Sequence, residues 1–263
     1  MVKKYIAILL MSFVFAGTVA AQDGLNDASD TTFWDFGFYG AADYDYRMCA
    51  GTGENGISSA FLNTQEIQRI GYTFGINMTR QVGKIVYIQT GILYQNKGYM
   101  TESLQDTVLD LYDHFLTANE YTSISRYNAL YIPVILRLKL FKAGSVQFNM
   151  GIGAAPEFYL SKATLSVFSD HIERDVTKAE QFFDVKGIFN LNINIPLSDN
   201  LSLAFEPNIS YNILGLNDEI NKGIQRNMYT AGLGIQLSYK VSDQSIYDYY
   251  YKNIYKKPVK SSF

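Results

Sequence analysis

The sequence has few of the residues that form disulfides, metal centres and many hydrolase sites. Its 263 residues include one cysteine, two histidines and one tryptophan. A single cysteine cannot form an intrachain disulfide, so disulfides do not hold this fold together. We interpret Cys49 as a solvent-exposed loop residue without a role. The acidic run 217–219 lacks the spaced Asp/Asn and Gly of a calcium loop, so we expect no metal or other cofactor.

Long apolar runs and an excess of basic residues are also absent. After the first 21 residues, no apolar run approaches the roughly 20 residues that a membrane-spanning helix requires. The chain has 22 Lys+Arg against 25 Asp+Glu, a net charge of −3. The charge balance and the lack of an interleaved aromatic–basic pattern indicate that nucleic acid is not a partner.

The N-terminus has the organisation of a secretory signal. Lys3 and Lys4 precede an apolar stretch over 5–14, and small residues at 19–21 precede Gln22. We therefore predict a signal peptide over 1–21 and a flexible periplasmic leader over 22–32. An exported chain without membrane helices is either a soluble protein or a closed membrane barrel, because only helices and closed barrels satisfy their backbone groups in lipid.

Eight segments alternate apolar and polar side chains with period two, which places each set on one face of a β-strand. The segments are 34–44, 72–79, 86–95, 130–139, 146–153, 183–193, 201–210 and 229–239. The apolar face carries Leu, Ile, Val and Phe with Tyr near several ends, whereas the other face carries Gly, Asn, Gln and Ser. A soluble lipocalin-like barrel, the alternative, would turn its apolar face inward. Small polar residues suit the interior of a narrow membrane barrel.

The connections between these segments alternate in length. The long connections are 47–69, 102–124, 161–181 and 213–227, and the short ones are 81–84, 141–145 and 196–200. This asymmetry is typical of outer-membrane barrels. We predict an all-β, eight-stranded antiparallel transmembrane barrel (an up-and-down meander) over 33–241 in the bacterial outer membrane. Its long loops would be extracellular and both termini periplasmic.

Three prolines fall inside the predicted strands. They are Pro133, Pro156 and Pro207, and all lie towards the long-loop end. A closed barrel has no free edge where a missing N–H donor is harmless. We therefore expect β-bulges or strand ends at these positions.

Two stretches carry a resemblance to a known family. Residues 131–139 (YIPVILRLK) resemble the corresponding run of PorT-like outer-membrane barrels, which are OmpA-like in fold. Residues 234–239 (GIQLSY) resemble the final-strand signal that the barrel assembly machinery reads, with Gly234, Leu237 and Tyr239 as its key positions. The resemblance covers about 34–241. It implies an eight-stranded barrel with a link, in some members, to secretion across the outer membrane. A Tyr/Lys-rich segment follows the barrel instead of a peptidoglycan-binding domain.

Charged residues on the polar face are the main candidate site. A lone charge inside a narrow barrel is costly, so opposite charges should pair there. The predicted interior polar network consists of Arg137, Lys139, Glu157, Asp184, Lys186 and Glu206. The alternative is a path for protons or ions.

The two histidines each follow an aspartate, in Asp113-His114 and Asp170-His171. Some outer-membrane barrels are hydrolases with an Asp–His or Ser–His arrangement at the loop rim. Adjacent residues do not normally face each other, and no hydrolase motif surrounds either pair, so we interpret both histidines as loop residues.

The segment after the barrel, 242–263, is predicted to be a Tyr/Lys-rich periplasmic tail. Aromatic and lysine side chains suit either the lipid–water interface or a docking strip for a protein partner. The candidate contact residues are Tyr249, Tyr250, Tyr251, Lys252, Tyr255 and Lys256.

These observations favour a non-enzymatic outer-membrane barrel that acts as a structural or secretion/assembly component of the envelope through loop and periplasmic contacts. Its expected partners are outer-membrane lipid, the barrel assembly machinery during insertion, and a periplasmic or secretion-complex protein. A rim-sited hydrolase and a narrow channel or adhesin are the alternatives.

Overall fold

A computed structural model describes residues 33–51, 63, 66–106, 119–168, 171–177, 182–217 and 224–242. The predicted signal peptide, the leader and the tail from residue 243 onward lie outside the described residues, as does His114. Among the residues that are described, no helix is long and apolar enough to cross a membrane.

The described chain contains twelve antiparallel β-strands, and nine of them form a ring of eight, because β5 and β6 together make one ring strand. In chain order they are β1 (Phe33–Gly51), β2 (Glu66–Ile67), β3 (Arg69–Gln81), β4 (Val86–Asp106), β5 (Asn119–Tyr131), β6 (Val134–Ala143), β7 (Val146–Val167), β8 (Ile172–Thr177), β9 (Phe183–Pro196), β10 (Leu201–Asn212), β11 (Leu216–Asn217) and β12 (Ile224–Ser242). Seven of the eight predicted segments fall within single ring strands, and the eighth, 130–139, spans the break between β5 and β6.

The ring closes because the first strand pairs with the last. The order is β1, β3, β4, β5/β6, β7, β9, β10 and β12, and β12 returns to β1. Strands β2, β8 and β11 are short additions that pair with β4, β7 and β12. Each ring strand neighbours the next one in the chain, so the fold is the predicted antiparallel meander.

The pairing register fixes the dimensions of the barrel. We start at Phe36 and move from each residue to its paired residue on the next strand. The path around the ring returns to β1 at Tyr46, ten residues further along the strand. The intermediate partners are Met78, Thr90, Val134, Ala154, Gly187, Tyr211 and Tyr229. With eight strands, a rise of about 3.3 Å per residue and a strand spacing of about 4.8 Å, this stagger gives a tilt of about 40° and a radius of about 8 Å. Such a lumen is narrow enough for side chains to fill it.

The ring strands continue beyond the predicted ends on the long-loop side. β1 pairs as far as Gly51, β4 reaches Asp106 and β7 reaches Val167. The predicted loop boundaries at residues 47, 102 and 161 are therefore wrong. Backbone pairing persists past these positions, and the sequence pattern detects only the side chains. At the other end, β6 runs to Ala143, so the predicted turn at 141–145 shrinks to Gly144 (φ 61°) and Ser145.

The fold buries polar residues and exposes apolar ones. In the described part of the chain, buried polar or charged residues outnumber buried apolar ones by two to one. Ile70, Ile76 and Leu233 lie on the outer wall and are 74%, 54% and 58% exposed. This arrangement is the reverse of a soluble barrel and excludes the lipocalin-like alternative, because such an outer wall requires an apolar surrounding.

The three prolines behave differently from one another. Pro133 separates β5 from β6, as expected for a strand end. Pro156 continues within β7 opposite this interruption, where its carbonyl accepts a hydrogen bond from the Ile132 N–H at 3.2 Å. Pro207 continues within β10, and only its pairing with β9 is interrupted, without a change of register. The expectation is confirmed at Pro133 and wrong at the other two, where a break in the neighbouring ladder accommodates the missing donor.

Candidate functional site

The centre of the lumen holds three fully buried charges, which we call the central cluster: Lys97, Glu157 and Lys186. Lys97 Nζ lies 2.5 Å from Glu157 Oε2, and Lys186 Nζ lies 3.1 Å from Glu157 Oε1. One carboxylate thus pairs with two ammonium groups. All three side chains are at most 1% exposed, so the pairing compensates for the cost of removing these charges from water.

Amide and aromatic groups complete the partners of the central cluster. Asn212 donates to Glu157 Oε2 at 2.6 Å and to Asp184 Oδ2 at 2.9 Å, and accepts from Lys97 at 3.0 Å. Lys186 donates to Gln95, and its Nζ lies 4.2 Å from the centre of the Tyr131 ring. Each lysine therefore has polar or aromatic partners besides the shared carboxylate.

These contacts join opposite walls of the barrel. Lys97 and Gln95 are on β4, whereas their partner residues lie on β7, β9 and β10. In the ring, β4 is not adjacent to any of these three strands. The central cluster therefore crosses the lumen.

A second buried pair lies nearer the short-turn end. Arg137 on β6 donates to Glu206 on β10, and Glu206 also accepts from Asn192 at 2.6 Å. Two small cavities, each about 30 Å³, flank this pair. Each cavity is large enough to hold water.

The structure brings four of the six predicted network residues into these two groups, and a fifth, Asp184, contacts the central cluster through Asn212. Lys139, the sixth, is half-buried towards the short-turn end, and no ion pair within the described ranges includes it. The prediction missed Lys97, although this residue has the same parity as Gln89 and Gln95. It also missed Asp43 and Asp45, which accept hydrogen bonds from Thr73 at 2.5 Å and Thr230 at 2.8 Å.

The three residues of the predicted assembly signal occupy different faces. Leu237 and Tyr239 lie on the outer wall and are 44% and 53% exposed. Gly234 points into the lumen beneath Tyr39, where a Cβ atom would lie 2.5–2.6 Å from two ring carbons. A side chain at this position would therefore displace the Tyr39 ring.

The long-loop end of the lumen contains a further buried ion pair. Arg47 on β1 donates to Glu66 on β2 and lies over the Tyr99 ring, with 3.4 Å between the guanidinium carbon and the ring centre. Cys49 lies beside this pair in β1 and is 2% exposed. Its N–H donates to Asn63 at 2.8 Å. The interpretation of Cys49 as an exposed loop residue is wrong, because β1 continues past the predicted strand end.

His171, the one histidine in the described ranges, lies on the surface. Its ring stacks on Phe168 at a centroid distance of 4.5 Å, and Nε2 lies 3.4 Å from Glu173. Within the described residues, no group of three or more His, Cys, Asp or Glu could hold a metal ion. The predicted tail contacts at 249–252 and 255–256 lie outside those residues.

The closed ring, its polar lumen and its apolar outer wall define a membrane β-barrel. A match to the family described as outer membrane protein beta-barrel domain extends over residues 20–221. The chain belongs to this family, and its location is the bacterial outer membrane. Among curated proteins, no sequence matches the chain.

Solved structures with a similar fold include several outer-membrane proteins. The outer membrane protein OprG of Pseudomonas aeruginosa is 10% identical, with 81% of this chain and 96% of OprG covered and a TM-score of 0.41. Neisserial surface protein A is 8% identical, with coverages of 77% and 96% and a TM-score of 0.35. The outer membrane protease OmpT of Escherichia coli is 10% identical, with coverages of 81% and 98% and a TM-score of 0.37. Similarity at this level says nothing about what this chain does.

Proposed function

We propose that the protein is a non-conducting, non-enzymatic barrel that serves as a structural or secretion/assembly component of the outer membrane. It acts through contacts made by its loop-side strand extensions and its tail. The observation that carries this proposal is the central cluster, which joins β4 to the opposite wall with fully buried charges. A barrel closed in this way has its contact surfaces at its two ends.

The sequence supports the assembly role over a purely structural one. Residues 131–139 and 234–239 resemble PorT-like barrels, some of which are linked to secretion. The tail is rich in Tyr and Lys, side chains that combine apolar area with a polar tip and suit a protein or interfacial contact. We therefore expect a periplasmic protein partner at the tail.

The orientation in this proposal places the strand extensions outside the cell and both termini in the periplasm. Because Cys49 is buried, single cysteines can be introduced with little background labelling. Glu173→Cys in the β7–β8 hairpin should react with a membrane-impermeant maleimide on intact cells, and Ser198→Cys in the turn after β9 should not. Labelling of Ser198→Cys alone would show the reverse orientation.

Photo-crosslinking in intact cells tests the partner. A photoreactive amino acid at Tyr250 should give one dominant protein adduct, identified by mass spectrometry. The matched control is the same probe at Leu197, which is 54% exposed in a turn on the same side of the membrane. If Tyr250 gives no adduct, or the same adducts as Leu197, the tail is not a specific docking site.

A further inference from the structure

The outer wall formed by β3, β4, β5 and β7 changes in three steps, from an apolar row to an amide row and then to a row with a single arginine. Laterally paired residues define each step. The apolar row is Phe74, Tyr94, Leu130 and Phe158; the amide row is Tyr72, Asn96, Asn128 and Ser161; the arginine row is Gly98, Arg126 and Ala163. Each row lies two residues further towards the long-loop end, except at a bulge between Tyr159 and Ser161.

Hydrogen bonds connect the amide row across three strands. Asn128 accepts from Asn96 at 2.7 Å and from Tyr94 at 2.7 Å, and donates to Ser161 at 2.9 Å. Carboxamide groups facing hydrocarbon are costly, whereas tyrosines are enriched at the membrane interface. The amide row therefore marks the level at which the hydrocarbon ends and the lipid headgroups begin.

Two arginines lie at this headgroup level. Arg69 donates to Asn96 Oδ1 at 2.6 Å, which places its guanidinium on the outer wall. Arg126 is flanked by two small residues, Gly98 and Ala163. Arg126 is one of the charged groups that act on the Arg69 guanidinium. No ion pair in the described part of the chain includes either, and Arg69 Nη1 and Arg126 Nε are buried without a hydrogen-bond partner, as is Arg80 Nε.

We propose that Arg69 and Arg126 bind the phosphate groups of a phosphorylated glycolipid in the outer leaflet. The acyl chains would lie along the apolar row, and the amide row would contact the sugar. Guanidinium groups bind phosphate through paired N–H donors, and a bound phosphate would neutralise the repulsion between the two arginines. This inference rests on the orientation proposed above, in which the arginine row faces the outside of the cell.

The opposite end of the barrel provides a matched control. Arg80 also lies on the outer wall, but its guanidinium carbon is 4.7 Å from the centre of the Trp34 ring. This contact engages it within the protein, and no second arginine of the described outer wall is placed beside it by strand pairing. Arg80→Gln therefore removes an interfacial arginine without affecting the proposed site.

Native mass spectrometry of the purified protein in detergent tests the site. The probes are diphosphoryl lipid A, the same lipid without phosphates, and inositol hexakisphosphate as a soluble polyphosphate. The unaltered protein and Arg80→Gln should bind diphosphoryl lipid A equally well. The double variant Arg69→Gln/Arg126→Gln should bind diphosphoryl lipid A with an affinity that is lower by about tenfold or more. Arg69→Lys/Arg126→Lys should give an intermediate affinity, because it keeps the charges but loses the paired donors.

Three results would overturn the proposal: equal affinity in the double Gln variant, an equal loss in Arg80→Gln, or no preference for the phosphorylated lipid. Equally tight, arginine-dependent binding of inositol hexakisphosphate would indicate a site for soluble phosphate instead. Each variant is first checked for faster migration of the unheated form on a denaturing gel. If the double Gln variant does not fold, the double Lys variant replaces it in the binding measurement. Loss of lipid binding with normal folding and cysteine labelling would leave the proposed function intact.

Discussion

Replacing Glu157 with Gln removes the one carboxylate shared by two fully buried lysines. The glutamine has nearly the same shape, so packing is preserved while the charge is lost. Its carbonyl oxygen can accept from one lysine, but its amide group would then face the other. Lys97 would retain Asn212 at 3.0 Å, and Lys186 would retain Gln95 and the Tyr131 ring.

The expected loss in free energy of unfolding is about 3–5 kcal/mol, the cost of leaving a buried charge without its partner. A hydrated lumen would give a different result. In water the same ion pairs would contribute about 1 kcal/mol or less to the free energy of unfolding, because solvent screens them. The size of the loss therefore distinguishes a dry central cluster from a water-filled lumen.

Equilibrium unfolding by urea in lipid vesicles measures this loss, with the fluorescence of Trp34, the single tryptophan, as the signal. Glu173→Gln is the control: that carboxylate is 67% exposed, and its replacement should change the free energy by about 0.5 kcal/mol or less. Adding Lys97→Met to Glu157→Gln should restore part of the loss, because one unpaired charge disappears. A loss below about 1 kcal/mol in Glu157→Gln would refute the reasoning.

Three further predictions concern positions elsewhere in the chain. Cys49 should react with a maleimide much more slowly in the folded barrel than in urea, because it is 2% exposed; equal rates would contradict its burial. Gly234→Val should reduce the free energy of unfolding by about 1–3 kcal/mol, since the added atoms would collide with the Tyr39 ring. Gly40→Val, with nothing within 4 Å of the new Cβ, should have little effect, and equal losses would argue against the Tyr39 explanation. Replacing both histidines should leave any activity towards a panel of peptide and lipid substrates unchanged, and a loss would support a rim-sited hydrolase.

The ring and the inward face of its strands could be predicted from the sequence because period two directly reports which side chains share a face. Arg137, Glu157 and Lys186 were assigned to the lumen in this way. The strand ends could not be predicted, because β1 and β7 continue to pair past residues 47 and 161, and a sequence pattern reports side-chain faces rather than backbone pairing. The same continuation explains the burial of Cys49.

The pairing partners within the lumen depend on the stagger of the barrel, which no single strand encodes. The ten-residue offset between Phe36 and Tyr46 sets which residues of β4 and β9 meet across the lumen. Lys97 is therefore recognisable as an inward residue but not as the partner of Glu157. Similarly, the arginine row becomes evident only when β4, β5 and β7 are placed side by side.

Electrical recording from planar bilayers tests most directly whether this barrel is closed and acts through its surfaces. The unaltered protein should produce no steady conductance above the lipid background, because the central cluster crosses the lumen. A triple variant with alanine at Lys97, Glu157 and Lys186, verified as folded by its migration on gels, should produce a measurable conductance. A steady conductance of the unaltered protein, equal to that of the triple variant, would contradict the proposal and favour a channel.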